Sequence, residues 1–230
     1  MRKTTLAALA AASLSLVPLP AAASGCDHPY FPIKQGQKLV YAYPAAGMTV
    51  TMVVAKVDGT HFTYDVTTTP ATGAPVSSVV HGECTAQGFS SESESARRGA
   101  TTKVIARTGT QFGPASQMKV GGTWTSGTTS ETDANDMKVR TETTSTSTVV
   151  AREKVRVPAG EYEALKIESV VEIANTMSGP NAAKMAKAGL GHMKHKGTMW
   201  IAEGVGLVKT QSVADDGEVT PGMELVSFQK

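Results

Sequence analysis

Apolar and polar residues alternate with a period of two through most of the chain, and this pattern predicts strands rather than helices from residue 30 onward. In Lys38–Tyr43, Leu39, Tyr41 and Tyr43 fall on one face and Val40 on the other. Pro44–Gly47 reads as a turn into a second strand, Thr49–Val57. Asp58-Gly59 then signals a hairpin to a third strand, His61–Thr69. Val79–Cys84 and the residues after the Gln87-Gly88 corner form another hairpin. Ser90–Arg98, rich in Ser and Glu, reads as a solvated loop. Val104–Arg107 is a short strand and Phe112-Gly113-Pro114 a turn. Gly121–Trp124 opens a second set. It continues as a long, Thr-rich, exposed strand pair over Lys138–Arg152, then a hairpin from Val155–Val157 through Pro158-Ala159-Gly160 to Tyr162–Ile173.

Asn175–Lys196 breaks the alternation. Within it, Asn181–Ala188 has helical spacing, preceded by Pro180 and ended by Gly189 and Gly191. Met199–Lys209, MWIAEGVGLVK, reads as strand, tight turn and strand, with Gly204 and Gly206 supplying the positive φ that a sharp corner needs. Met223–Phe228 is the closing strand. The two halves, about 30–107 and 118–230, share an order of features. Val53–Lys56, then Gly59 and Phe62, is matched by Val149–Arg152, then Gly160 and Tyr162. The expected fold is therefore all-β and mainly antiparallel: a curled sheet, half-barrel or barrel of two similar meander units, carrying one short helical insertion.

The first residues change the picture of where such a fold works. Arg2 and Lys3 precede an apolar stretch, Leu6–Leu19, and Ala21-Ala22-Ala23 supplies small residues for cleavage, so residues 1–23 read as a signal peptide and 24–230 as a single domain. Excluding Arg2 and Lys3 leaves 20 basic against 20 acidic residues, a near-neutral chain with no bulk attraction to nucleic acid. No later stretch reads as a transmembrane segment. A periplasmic or secreted protein is expected, in which Cys26 and Cys84 pair as a disulfide. The competing reading is a lipobox, Ala23-Ser24-Gly25-Cys26, with Cys26 lipidated and the protein anchored through it.

Catalytic motifs are absent: no G-x-S-x-G, H-E-x-x-H or Gly-rich phosphate loop occurs, and no recognisable nucleophile context surrounds the five histidines. Trp124 and Trp200 are expected to be buried core, since indole rings are the largest apolar groups of this aromatic-poor chain. Lys184, Met185, Lys187 and Leu190 form a candidate lid or contact helix, basic on one side and apolar on the other. Met185, His192, Met193 and His195 are a weaker candidate set for copper, because thioether and imidazole suit a soft metal while Lys194 and Lys196 oppose a bound cation.

The ordered segments YFPIKQG, GECTAQGF, KVGGTW, RVPAGEYEALKI and MWIAEGVGLVK resemble the TapB-like family of exported bacterial proteins. The resemblance runs from about Tyr30 to Phe228, with the insertion at 181–196 as its main departure. It implies an all-β envelope protein with no established enzymatic activity, linked by name to type IV pilus assembly. More loosely, the chain is similar to curled half-barrels that carry lipoproteins by their acyl chains. The expected function is a non-enzymatic envelope binding or assembly factor without a cofactor, whose partner is an apolar ligand, a lipoprotein or another envelope protein. A pilus-associated structural role is the alternative, and copper binding by the insertion a further one.

Overall fold

The computed structural model describes residues 27–230 apart from 86, 94, 95, 98, 99, 135 and 215. The expected signal peptide and Cys26 lie outside the described residues. The strands are β1 (Asp27–His28), β2 (Phe31–Pro32), β3 (Lys38–Tyr43), β4 (Met48–Asp58), β5 (His61–Thr69), β6 (Val76–Thr85), β7 (Gly88–Ser93), β8 (Ala96–Arg97), β9 (Ala100–Thr108), β10 (Thr123–Ala134), β11 (Met137–Val157), β12 (Gly160–Ser178), β13 (His192–Ala202), β14 (Gly206–Val213) and β15 (Val219–Gln229). β1 and β2 pair with each other, and the rest form one 13-stranded antiparallel sheet ordered β7-β6-β5-β4-β3-β15-β14-β13-β12-β11-β10-β9-β8.

That order makes the sheet two consecutive meanders, β3 to β7 and β8 to β15, joined where β15 pairs with β3. Laid flat, β7 and β9 would stand about 50 Å apart at the usual strand spacing. Instead Phe89 of β7 and Phe112, just after β9, exchange both backbone hydrogen bonds at 3.0 Å. The sheet is therefore curled almost into a ring, with its seam between β7 and β9.

The curl has a local cause. Register shifts leave Ala55, Ile105, Val150, Val208 and Val226 without a partner in the ladder, and such bulges bend and twist a strand. Ile105, Val150 and Val226 are also among the large apolar side chains exposed to water. They interrupt the alternation as apolar doublets such as Val149-Val150, where one residue cannot share its neighbour's face.

Several sequence expectations need correction. Lys138–Arg152 is not a strand pair but part of the single 21-residue β11, which turns only at Pro158-Ala159, before Gly160 (φ 135°). Its Thr- and Ser-rich run pairs with β10 on one side and β12 on the other, satisfying the backbone throughout and favouring β-branched residues. Ser90–Arg98 is not simply a loop: it contributes most of β7 and all of β8. The break at Asn175–Lys196 is narrower than the pattern suggests, because β12 runs to Ser178 and β13 resumes at His192. Between them lie one α-helical turn, Ala182–Met185, and a π-type turn, Ala186–Leu190, with Gly189 at φ 80°. So short a helix has no side-chain capping hydrogen bond and no buried residue.

Strand register separates two faces. Ser147, Val149, Leu165, Ile167, Ile201, Leu225 and Tyr41 share the inner face with Leu39, Val54, Tyr64 and Phe89, and except for Ser147 they are apolar and closely packed. The opposite face carries charge in cross-strand pairs, including Lys209 Nζ with Glu224 Oε1 (2.8 Å) and Lys194 Nζ with Glu172 Oε1 (3.1 Å). The segment 28–33, which carries β1 and β2, enters the inner space as a plug: His28, Tyr30, Phe31 and Ile33 are all buried.

Candidate functional site, an apolar cavity beside the seam

The plug is seated by the Gly204–Gly206 corner. Gly204 N donates to Pro29 O at 2.8 Å, and the Gly206 Cα faces Tyr30 O and the Phe31 ring closely enough that a Cβ would lie 3.5 and 3.6 Å from them. Both glycines have positive φ (72° and 100°), so the turn is tight and its surface flat. His28 ties the plug to the seam: its Nδ1 accepts from Tyr30 N (3.3 Å), which leaves Nε2 to donate to Gly113 O (3.2 Å). Burial lowers the His28 pKa below its ordinary value, the Gly113 hydrogen bond partly opposing it. Arg152 Nη2 donates to Tyr30 Oη at 3.0 Å.

The plug does not fill the space. A cavity of roughly 180 Å³ remains between it and the inner face. Phe31, Ile33 and Phe112 bound it on the plug side, Leu39, Tyr41, Met52 and Tyr64 on β3 to β5, and Leu207 and Met223 on β14 and β15. Phe31 packs on Phe112 (4.2 Å between ring centroids) and Phe89 (5.2 Å), and Phe89 on Phe62 (5.1 Å), making a continuous aromatic wall. One phenol of the wall, Tyr41, and another beside a wall residue, Tyr43 next to Met223, are both hydrogen-bonded. Tyr41 Oη donates to Leu207 O at 2.9 Å and Tyr43 Oη to Met223 Sδ at 3.3 Å, and burial raises the pKa of both. At the seam end, Ser91 Oγ donates to Gln111 Oε1 at 3.2 Å.

The residues singled out from the sequence fall elsewhere. Trp124 and Trp200 are 8% and 6% exposed, but on opposite faces of the sheet. Trp124 lies over Gly113, its indole N–H donating to Gln111 O (3.2 Å). Trp200 stands among charges, with Lys166 Nζ 5.9 Å from its ring and its N–H donating to Glu153 Oε1 at 2.7 Å. Lys184, Lys187 and Leu190 are exposed and Met185 half-buried, in a turn held by Asn175 Nδ2 donating to Leu190 O (2.7 Å). None of the four lines the cavity. The turn sits on the order of 40 Å along β12 from Leu165, which places a lid there out of reach. Strand alternation puts His192 on the face opposite Met193 and His195, so the copper set is not gathered on one side. Cys84 is buried at 1% exposure on the inner face of β6; its expected partner Cys26 lies outside the described residues.

What the sequence reading missed is the gathering of Phe31, Tyr64, Phe89 and Phe112 around one space. Their separate strands gave no signal, although Phe89 and Phe31 lie inside two of the quoted segments. Among the described residues no helix is long and apolar enough to cross a membrane.

Comparisons with known proteins agree with this architecture. Residues 114–225 match the DUF3108-like family. That range holds KVGGTW, RVPAGEYEALKI and MWIAEGVGLVK, and the TapB-like resemblance gains no support from it. No curated protein matches the chain. Two solved structures share the fold. One is a protein from Bacteroides fragilis described as exported with a YmcC-like fold, at a TM-score of 0.56 and 15% identity over 87% of this chain and 98% of that one. The other, from Parabacteroides distasonis, is described as a lipoprotein, at a TM-score of 0.58 and 14% identity over 89% and 99%.

Proposed function

We propose that the protein is a non-enzymatic binding protein of the cell envelope, which takes an apolar ligand or the acyl chain of a lipoprotein into the cavity between its plug and its curled sheet. The observation that carries the reading is the cavity itself, lined mostly by apolar and aromatic side chains and left unfilled by the plug. Pockets of this character bind by removing apolar surface from water, and the buried, neutral Tyr41 phenol adds no charge to the wall to oppose that. A pilus-associated structural protein would call for a filled core instead. Placement in the envelope is supported by the signal-peptide character of residues 1–23 and by the descriptions of the two structural neighbours as exported protein and lipoprotein.

The test is titration of the chain from residue 24 with N-phenyl-1-naphthylamine, an uncharged probe that fluoresces in apolar surroundings. Saturable binding is expected. Met52→Trp, which places an indole into the cavity, should weaken binding at least tenfold while leaving the fold intact by circular dichroism. Absence of saturable binding, or a Met52→Trp protein that binds like the parent, would refute the proposal.

A further inference from the structure

Ser91 and Gln111 face two spaces at once. Both line the apolar cavity, and both line a second cavity of roughly 330 Å³ within the seam. The character of the wall changes across this pair. The inner cavity is aromatic and aliphatic, whereas the seam cavity is bounded by Ser90, Glu92, Arg107, Ser126 and Thr128. Arg107, near the end of β9, reaches across the seam and its Nη2 pairs with Glu92 Oε2 of β7. The two compartments are thus an apolar chamber and a hydroxyl-rich antechamber with one guanidinium, separated by a single neutral hydrogen bond.

From this juxtaposition we infer that the ligand is a single-chain amphiphile with an anionic head. The head sits at Arg107 in the seam, and the chain passes between Ser91 and Gln111 into the apolar cavity. The inference rests on the binding role proposed above and names the class of ligand for it. A guanidinium presents five N–H donors in a planar fork that matches the oxygens of a carboxylate or phosphate. Glu92 already occupies part of that fork, because its Oε2 pairs with Arg107 Nη2 from the facing strand. Both side chains are in contact with water (32% and 46% exposed), so a ligand oxygen can replace or join Glu92 without uncovering a buried charge. The passage can open without disturbing the seam. The Gln111 backbone is held by the Trp124 indole N–H and lies next to the Phe89–Phe112 bridge, so rotation of the Gln111 side chain alone parts it from Ser91.

The experiment displaces N-phenyl-1-naphthylamine with three ligands of one chain length: dodecanoate, dodecyl phosphate and methyl dodecanoate. The parent protein should bind at least one of the two anions about tenfold more tightly than the ester, and the better of the two identifies the head. Arg107→Gln should abolish that preference, bringing both anions to the level of the ester. Glu92→Gln, which removes the competing carboxylate, should tighten the anions several-fold. Equal displacement by all three ligands in the parent, or a preference that survives Arg107→Gln, would overturn the inference while the apolar-binding role stands. If the naphthylamine probe itself does not bind, the proposed function fails and the inference falls with it.

Discussion

The seam rests on one glycine. Gly88 has φ 122°, and a Cβ there would lie 2.0 Å from Phe112 O, the atom that accepts from Phe89 N. Gly88→Ala therefore drives the Phe112 carbonyl away and breaks the two backbone hydrogen bonds between Phe89 and Phe112 that join the ends of the sheet. Each is worth about 0.5–1.5 kcal/mol net. Holding a non-glycine residue at that φ adds roughly 1–3 kcal/mol. The expected loss is about 2–6 kcal/mol, read from urea unfolding monitored by circular dichroism. Hydrogen exchange supplies the local measurement, since the Phe89 and Phe112 amides should lose protection while those of β14 and β15, opposite the seam in the ring, keep theirs. A loss under about 1 kcal/mol with unchanged exchange at Phe89 and Phe112 would refute the reasoning, because the ends of the sheet would then be held together by something other than this bridge.

Three further outcomes follow from the same contacts. His28 has a folded-state pKa below that of the unfolded chain, so its contribution to stability is complete above about pH 6.5 and is lost as pH falls toward the folded value. The urea midpoint should drop between pH 7.5 and 5, and His28→Gln should flatten that dependence; parallel profiles would exclude His28 as its source. Ser147 and Ser169 share a buried 2.8 Å hydroxyl pair. Either serine changed alone to alanine leaves one hydroxyl unsatisfied, costing about 1–3 kcal/mol, and the double variant should cost clearly less than the sum of the singles. Additive losses would contradict the pairing. Replacing Ala182–Gly189 with a Gly-Ser linker of equal length should change stability by less than about 1 kcal/mol, since nothing in that turn is buried; a loss above 2 kcal/mol would show that the insertion packs against the sheet.

What was legible in the sequence was whatever the chain decides locally. The strand positions of β3, β4 and β5 follow from alternation over a few residues, and the corners at Asp58-Gly59 and Gly204–Gly206 from the need for positive φ. Where the reading failed, the deciding forces came from far along the chain. Ser90–Arg98 looks like a loop because its residues are polar, but β6 and β9 offer it ladder hydrogen bonds that outweigh weak propensity. Trp124 and Trp200 have similar local settings yet end on opposite faces, because register across β10 to β13 fixes which face each residue shares with its partners. The cavity depends wholly on tertiary structure. Phe31, Met52, Phe89, Phe112 and Leu207 are brought together by the curl, the curl by bulges whose bending adds up over 13 strands, and no periodicity along the chain records the distance at which two ends of a ring will meet.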